Sequence, residues 1–409
     1  MFVYQEHASF VKKTTLFVIS GVVLSILFVV IVDPYRIYGL VDRTGFNHVK
    51  PAPERYQEQI KLVGAKRLNA NVLILGNSRA EIGFDTDDKI FATAGNSSYN
   101  LAVPGKGIDT SRRQLEQLRG LNIHPKVIIL GLDFLDFLTD KKIPYLPNLE
   151  EKKEKTVSSL KWQFDLLFSL QSVADGIKTL RIQNKTDAET ITTSGFNPLL
   201  EYKKYSKEQG YYALFQQRAE ENAKNYLRKS QFVIAPASDS DTRWGELRTI
   251  MAAASEENAE LHMLIYPYHA QILLMFEEVG LMPAFEQWKA QLAQELERAK
   301  RIYPQTRSHL WDFSGYSTFQ CDAIPAKNDK STVTKWYWEA GHFKASLGKV
   351  ILSKMFDKTA VDASDSFGYA LKTSNISSNK QRLAEERQEC LKQYPDLFLD
   401  VARLIREKQ

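Results

Sequence analysis

The chain has 409 residues, 44% of them hydrophobic and 25% charged, and a net charge of +5. This is a globular balance, with room for one large domain plus extensions or for two domains, and it excludes a disordered chain. No Lys/Arg stripe with interleaved aromatics is present, so nucleic acid is not an expected partner, and two cysteines, Cys321 and Cys390, exclude a disulfide-rich scaffold. Those two can pair only in an oxidising compartment, and the polar surroundings of Cys390 argue against pairing.

The first element is apolar. Thr14 to Val32, TTLFVISGVVLSILFVVIV, carries no charge. As a helix it spans about 28 Å at roughly 1.5 Å per residue, close to the hydrocarbon thickness of a bilayer. Lys12 and Lys13 precede it and Asp33-Pro34 ends it. A cleaved signal peptide is the alternative, but the run is long and no small-x-small site closes it. The expected organisation is a cytoplasmic N-terminus over 1–13, a transmembrane helix over 14–32, and the remainder outside the cytoplasm. In a bacterium that is a single-pass inner-membrane protein with its domain in the periplasm.

Residues 33–68 read as a connector and a helix, the helix over Pro53 to Arg67. Five short apolar runs follow, each a candidate buried parallel strand. They are Val72–Leu75, Tyr99–Ala102, Val127–Leu130, Leu261–Tyr266 and His309–Phe313. Helical patterns such as Thr110–Arg119 and Ala284–Arg301 separate most of them. The expected fold class is α/β: a doubly wound, mainly parallel five-stranded sheet over 69–357, with a mostly helical insertion over about 138–255. Residues 358–409 read as a polar linker and a C-terminal helical tail, broken near Pro395 and packed on its own domain.

The stretch NVLILGNSRAEIGFD, Asn71 to Asp85, carries the chemistry. A buried strand runs into a small polar turn, which puts Asn77, Ser78 and Arg79 just beyond its carboxyl end, where ligands gather in such sheets. Ser78 is either a helix N-cap or a nucleophile, and as a nucleophile it needs a base within hydrogen-bond reach. Far along the chain, Trp336-Tyr337-Trp338-Glu339-Ala340-Gly341-His342-Phe343 offers one. His342 can face the serine while Glu339 fixes its tautomer. Gly105, ending YNLAVPG, is either a plain turn residue or the donor of an N–H to a developing oxyanion. Asp133, ending the third strand, is a poor oxyanion donor and is better suited to orienting a loop or substrate. Arg79 either pairs with a nearby acid or meets an anionic group on the substrate. Tyr268 and His269 either line the acceptor side of the cleft or are a packed tyrosine with a surface histidine. Trp336, Tyr337 and Trp338 either stack on sugar rings or pack in the core. No metal-ligand cluster of HExxH or CxxC type is present, and no cofactor is expected.

Together, LILGNSR around Ser78, YNLAVPG, VIILGLDFLDF around Asp133, IYPYHA at Ile265–Ala270 and WEAGHF around His342 resemble the SGNH (GDSL-like) hydrolase superfamily. The resemblance covers about Asn71 to Lys354. It is closest to a membrane-anchored branch that includes the alginate O-acetylation proteins and, more distantly, the D-alanyl transfer protein of teichoic acid synthesis. It implies Ser78 as nucleophile, His342 as base, and the Ser78 and Gly105 amides as oxyanion hole. Two departures stand out. Asp133 lies near the place of the superfamily's block-three asparagine, and E-x-x-H replaces D-x-x-H, which leaves Asp312 as a second candidate for orienting His342. The implied function is a serine-dependent O-acyltransferase acting on a cell-envelope polysaccharide, with an acyl donor supplied through a multi-spanning membrane protein. A carbohydrate esterase and a non-catalytic polysaccharide-binding or assembly subunit are the alternatives.

Overall fold

The computed structural model describes residues 2–92, 96–140, 160–237, 242–356 and 367–409. Parts of the expected insertion (141–159 and 238–241) and of the expected linker (358–366) lie outside the described residues.

The apolar run is helical, but the helix is longer than the run, extending over Phe2–Val32. Its stretch His7–Val32 is long and apolar enough to cross a membrane, and little of it is covered by the rest of the protein. The helix ends in a built cap. Asp33 takes a left-handed conformation (φ 48°), and its carboxylate accepts from the amides of Ile37, Tyr38 and Gly39. Lys50 Nζ and Asn47 Nδ2 donate to the otherwise orphaned carbonyl of Val32 (2.7 and 3.1 Å).

The main sheet has six strands: β1 (Val72–Leu75), β2 (Ser98–Asn100), β3 (Val127–Leu132), β4 (Glu260–Ile265), β5 (Arg307–Asp312) and β6 (Tyr369–Ala370). Their spatial order is β6-β5-β4-β3-β1-β2. All pairings are parallel except that of β6 with β5. The fold is therefore α/β with a mainly parallel sheet. All four residues of β1 are buried, as expected of a Val/Ile/Leu run covered on both faces. Register sets the site: Leu75 ends opposite Leu130, while β3 runs on to Leu132, opposite Ile265, which faces Asp312. β1 thus stops two residues short of its neighbour. The polar turn after it lies level with the last residues of β3.

Five strands were expected, and β6 is the addition. It lies in the stretch read as a linker. Its two residues pair with Asp312 and Trp311, and the Leu371 amide donates to the Leu310 carbonyl. A two-residue edge strand leaves no periodicity to read. Described residues of the insertion form helices Leu160–Leu167, Leu170–Ile182, Leu200–Gln209, Tyr211–Lys229 and Thr242–Glu256, with a short antiparallel pair, Leu138–Asp140 and Phe232–Ile234.

The C-terminal helices, Ile376–Gln393 and Pro395–Lys408, break at Tyr394-Pro395. They lie against the domain through buried Val401 and Ile405, through Arg387 on Glu277 (2.6 Å), and through Asn379 on Asp312 (2.7 Å). This placement overturns the reading of the cysteines. Cys390 is 2% exposed and forms a disulfide with Cys321. Its sequence neighbours are polar because they sit on the outer face of a helix whose inner face carries the cysteine.

Candidate functional site

Ser78 opens the short helix Ser78–Gly83, and Asn77 is its N-cap, accepting from the Arg79 amide through Oδ1 (3.1 Å). Of the two readings of this turn, the cap therefore falls to Asn77. Gly76, with φ 142°, occupies a conformation that side chains rarely adopt, and a Cβ there would stand 2.5 Å from Tyr266 Oη. Glycine lets the chain leave the strand sharply, and the next two residues can rise above the sheet.

The Ser78 hydroxyl lies 2.8 Å from His342 Nε2. Residues 264 positions apart in sequence are brought together by a hairpin, Tyr337–Glu339 with His342–Phe343, in which Glu339 and His342 are paired directly across the turn. A helix was not needed to align E-x-x-H; a two-residue turn, Ala340-Gly341, does so. Glu339 Oε1 accepts from His342 Nδ1, and its Oε2 accepts from the Gly341 amide (2.8 Å). With Nδ1–H committed to the carboxylate, Nε2 is the acceptor for the serine proton. Burial pushes the Glu339 carboxyl up. His342, the Gly341 amide and Arg218 outweigh that and hold it below the ordinary glutamate range. Asp312 is fully buried elsewhere, against Ser314, Asn379 and Lys289 (2.9, 2.7 and 3.4 Å). Glu339, not Asp312, orients the imidazole.

The Ser78 helix is seated by two close approaches. A Cβ on Gly83 would fall 2.0 Å from the Phe343 ring, and one on Gly348 would fall 1.8 Å from the Gly83 carbonyl oxygen. The absence of side chains there lets the serine helix touch both the histidine hairpin and the helix Ala345–Phe356 behind it. Underneath, Lys61 and Glu81 form a buried ion pair (2.7 Å, both 2% exposed). Lys61 also donates to the carbonyls of Ala102 and Gly195 (2.5 and 3.0 Å). Neither residue carries a motif that a reading of the sequence would single out.

Asp133 is a hub. It accepts from Asn77 Nδ2 (2.8 Å), from Arg79, from Tyr268 Oη (3.3 Å) and from the Leu135 amide (3.1 Å). This is loop orientation, and it gives Arg79 the acid partner. The Arg79 guanidinium lies over the rings of Tyr268 and Tyr266 (5.1 and 5.7 Å to the centroids). Burial lowers the guanidinium pKa, and the Asp133 carboxylate more than restores it, so Arg79 stays charged. Asp136, three residues on, was not foreseen. Burial and the Asp133 charge push it up to about 8, and its signal was the repeated LDFLDF spacing.

Gly105 sits at the tip of a tight turn, Val103 to Lys106, with φ 68°. The Val103 amide donates to the Gly76 carbonyl (3.1 Å), which ties this turn to the serine turn. No heavy atom lies within 4 Å of where a Gly105 Cβ would be, so this side is open to a ligand.

Tyr268 and His269 do not line the cleft, and His269 is not on the surface. Tyr268 is 2% exposed and His269 is fully buried. His269 Nδ1 accepts from the Gln271 amide (3.1 Å), and Nε2 donates to the Asp322 carbonyl (3.0 Å). Burial lowers its pKa to about 4, which keeps it neutral. The three aromatics before Glu339 divide. Tyr337 is core, donating to the Pro267 carbonyl (2.9 Å). Trp336 packs on Phe319. Only Trp338 lines an open groove of about 510 Å³, with Tyr211, Lys203, Lys207, Lys330 and Lys344.

Among the described residues, one cluster has donor atoms close enough for a metal: Glu260, His262 and His309, all within 4.8 Å of one another. Trp311 Nε1–H already donates to His262 Nδ1 (3.3 Å), so Nε2 carries the ring proton and donates to Glu260 (3.0 Å). That tautomer leaves His262 no free lone pair for a metal. The cluster also lies near the starts of β4 and β5, at the end of the sheet away from Ser78.

No protein-family model matches the chain, and no curated protein matches it.

Proposed function

We propose that the protein is a serine-dependent O-acyltransferase of SGNH type, anchored in the bacterial inner membrane and acting on an envelope polysaccharide in the periplasm. The observation that carries this reading is the hydrogen bond of Ser78 Oγ to His342 Nε2 (2.8 Å), with Glu339 on the other ring nitrogen. His342 takes the Ser78 proton as Oγ attacks an acyl carbonyl. The imidazolium is stabilised by Glu339. The Ser78 and Gly105 amides hold the oxyanion. The imidazolium then returns its proton to the departing oxygen, leaving an acyl ester on Ser78. A sugar hydroxyl, deprotonated by His342, attacks that ester and carries the acyl group away. In the esterase alternative, water takes the hydroxyl's place.

The groove that Trp338 and Tyr211 line suits a sugar ring of the acceptor, because a pyranose presents an apolar face to an aromatic ring. Lys12 and Lys13 ahead of the apolar helix favour a cytoplasmic start, and the buried Cys321–Cys390 disulfide favours an oxidising compartment for the domain. One membrane helix makes no channel, so an activated acyl group would reach Ser78 through a multi-spanning partner.

Cleavage of a chromogenic acetyl ester by the purified full-length protein tests the chemistry. The expected result is loss of turnover in Ser78→Ala and a fall of about 10²–10⁴-fold in Glu339→Gln. Equal activity of parent and Ser78→Ala would defeat the reading and leave a polysaccharide-binding subunit. Acetylated polymer, lost in cells carrying Ser78→Ala at normal protein level, separates transfer from hydrolysis.

A further inference from the structure

A second contact with the bilayer is built into the helical insertion. Helix Leu170–Ile182 packs on the last turns of the N-terminal helix, and helix Leu160–Leu167 packs through Trp162 and Leu166 on Tyr35, just beyond the end of that helix, and on Ile60. A Cβ on Gly176 would stand 2.6 Å from the Phe28 ring, so the two helices touch there. Val29 and Val32 are buried, and Tyr35 Oη donates to Asp175 (2.5 Å).

The charges fix the depth of this contact. Between Lys13 and Asp33 lie only the residues Thr14 to Val32, about 28 Å of helix, and a bilayer core needs about 30 Å. All of them are needed to cross. Phe28, five residues before Asp33, then lies about 7 Å inside the hydrocarbon boundary at about 1.5 Å per residue. A helix packed on Phe28 is therefore at the boundary or below it.

The outward face of these two helices is the kind of surface that depth requires. Phe164, Phe168, Leu170 and Ile177 are 57%, 51%, 87% and 40% exposed. The rings of Phe164 and Phe168 lie 4.1 Å apart, forming one patch. In water such a face is a liability. The exposed charges are mostly basic: Lys161, Lys178 and Arg181 are exposed, and of the two acids Asp165 is exposed and accepts from Tyr56 Oη, while Asp175 is half-buried and accepts from Tyr35 Oη. Apolar anchors with neighbouring bases are the pattern of an interfacial helix on anionic lipid.

We propose that this face, Phe164 to Leu180, lies in the headgroup–acyl boundary of the leaflet from which the N-terminal helix emerges. The domain is then seated on the membrane by two elements, and the height and tilt of the Ser78 cleft above the lipid are fixed. The inference rests on the membrane-spanning reading of the N-terminal helix.

The test uses full-length protein in phosphatidylcholine–phosphatidylglycerol vesicles. Single nitroxide labels are placed at Phe168→Cys, Leu170→Cys and Ile177→Cys, with Val22→Cys in the spanning helix and Lys207→Cys as controls. Collision with oxygen, which partitions into lipid, is compared with collision with a water-soluble nickel complex. The expected result is a severalfold preference for oxygen at 168, 170, 177 and 22, and the reverse at 207. Aqueous behaviour at 168, 170 and 177 with lipid behaviour at 22 would overturn the docking surface alone. Aqueous behaviour at 22 as well would overturn both it and the spanning helix.

Discussion

Ser78 sits where a strand stops early, and its two neighbours each have a partner of their own. Asn77 caps the helix and Arg79 is bound to Asp133, so the serine hydroxyl is the group of this turn left to the histidine. Much of this was readable from residue types. A small polar turn after an apolar run, and an acid three places before a histidine, are local signals. The burial of Tyr268 and His269 was not readable, because a Tyr-His pair after a strand looks alike on a cleft wall and in a core. His269 offers a sharp test. Its pKa is lowered to about 4 from an ordinary 6.5. Between those values the unfolded chain binds a proton that the folded one refuses. Its stabilisation is therefore complete above 6.5 and is lost as pH falls towards 4. His269→Asn, which keeps an acceptor for the Gln271 amide, is expected to be less stable near neutrality and to lose less stability on acidification. Urea midpoints at about pH 7.5 and about pH 4.5 check this; parallel losses in parent and variant would contradict it.

The elements that hold the site together meet through missing side chains. Gly348 lets its helix meet the serine helix backbone to backbone, and Gly83 lets the Phe343 ring of the histidine hairpin lie directly on the serine helix. The positions of β1, β3 and β4 were legible because apolar runs of four to six residues suit a sheet buried on both faces, whereas β2 and β5, with Ser, Asn, Arg and His among their residues, begin one and two residues before the apolar runs expected there. The contact between Gly83 and Gly348 was not legible, since nothing local says which glycine faces which. Gly348→Ala is expected to destabilise the protein by about 1–3 kcal/mol or more, because the obstructing atom is a backbone carbonyl that cannot rotate away. It is also expected to reduce ester cleavage beyond any loss of folded protein, since it pushes Ser78 from His342. Thermal unfolding and turnover per folded molecule measure the two effects. An unchanged turnover would mean that this contact does not set the serine–histidine distance.

At the scale of the whole molecule, the two ends of the chain hold opposite sides of one domain. The N-terminal helix is capped into the fold at Asp33, and the C-terminal helices return to it through Cys390, Asn379 and Arg387. The apolar helix was plain from hydropathy. The packing of the tail on its own domain was legible from apolar positions at helical spacing, but the disulfide that ties it there was hidden, because one buried cysteine on an otherwise charged helix is a faint signal. The disulfide closes a loop of 69 residues, for which the chain-entropy relation gives about 4 kcal/mol. The Cys321→Ser/Cys390→Ser double variant is expected to be less stable by about that amount in urea. Stability equal to the parent would mean that helix packing alone holds the tail.

The nucleophilic role of Ser78 is tested most directly with a serine-directed fluorophosphonate, followed by peptide mass analysis of the full-length protein. It requires no knowledge of the natural donor or acceptor. Stoichiometric modification of Ser78 is expected, abolished in Ser78→Ala and markedly slowed in His342→Ala. No modification, or modification of a different residue at the same rate in parent and Ser78→Ala, would contradict it.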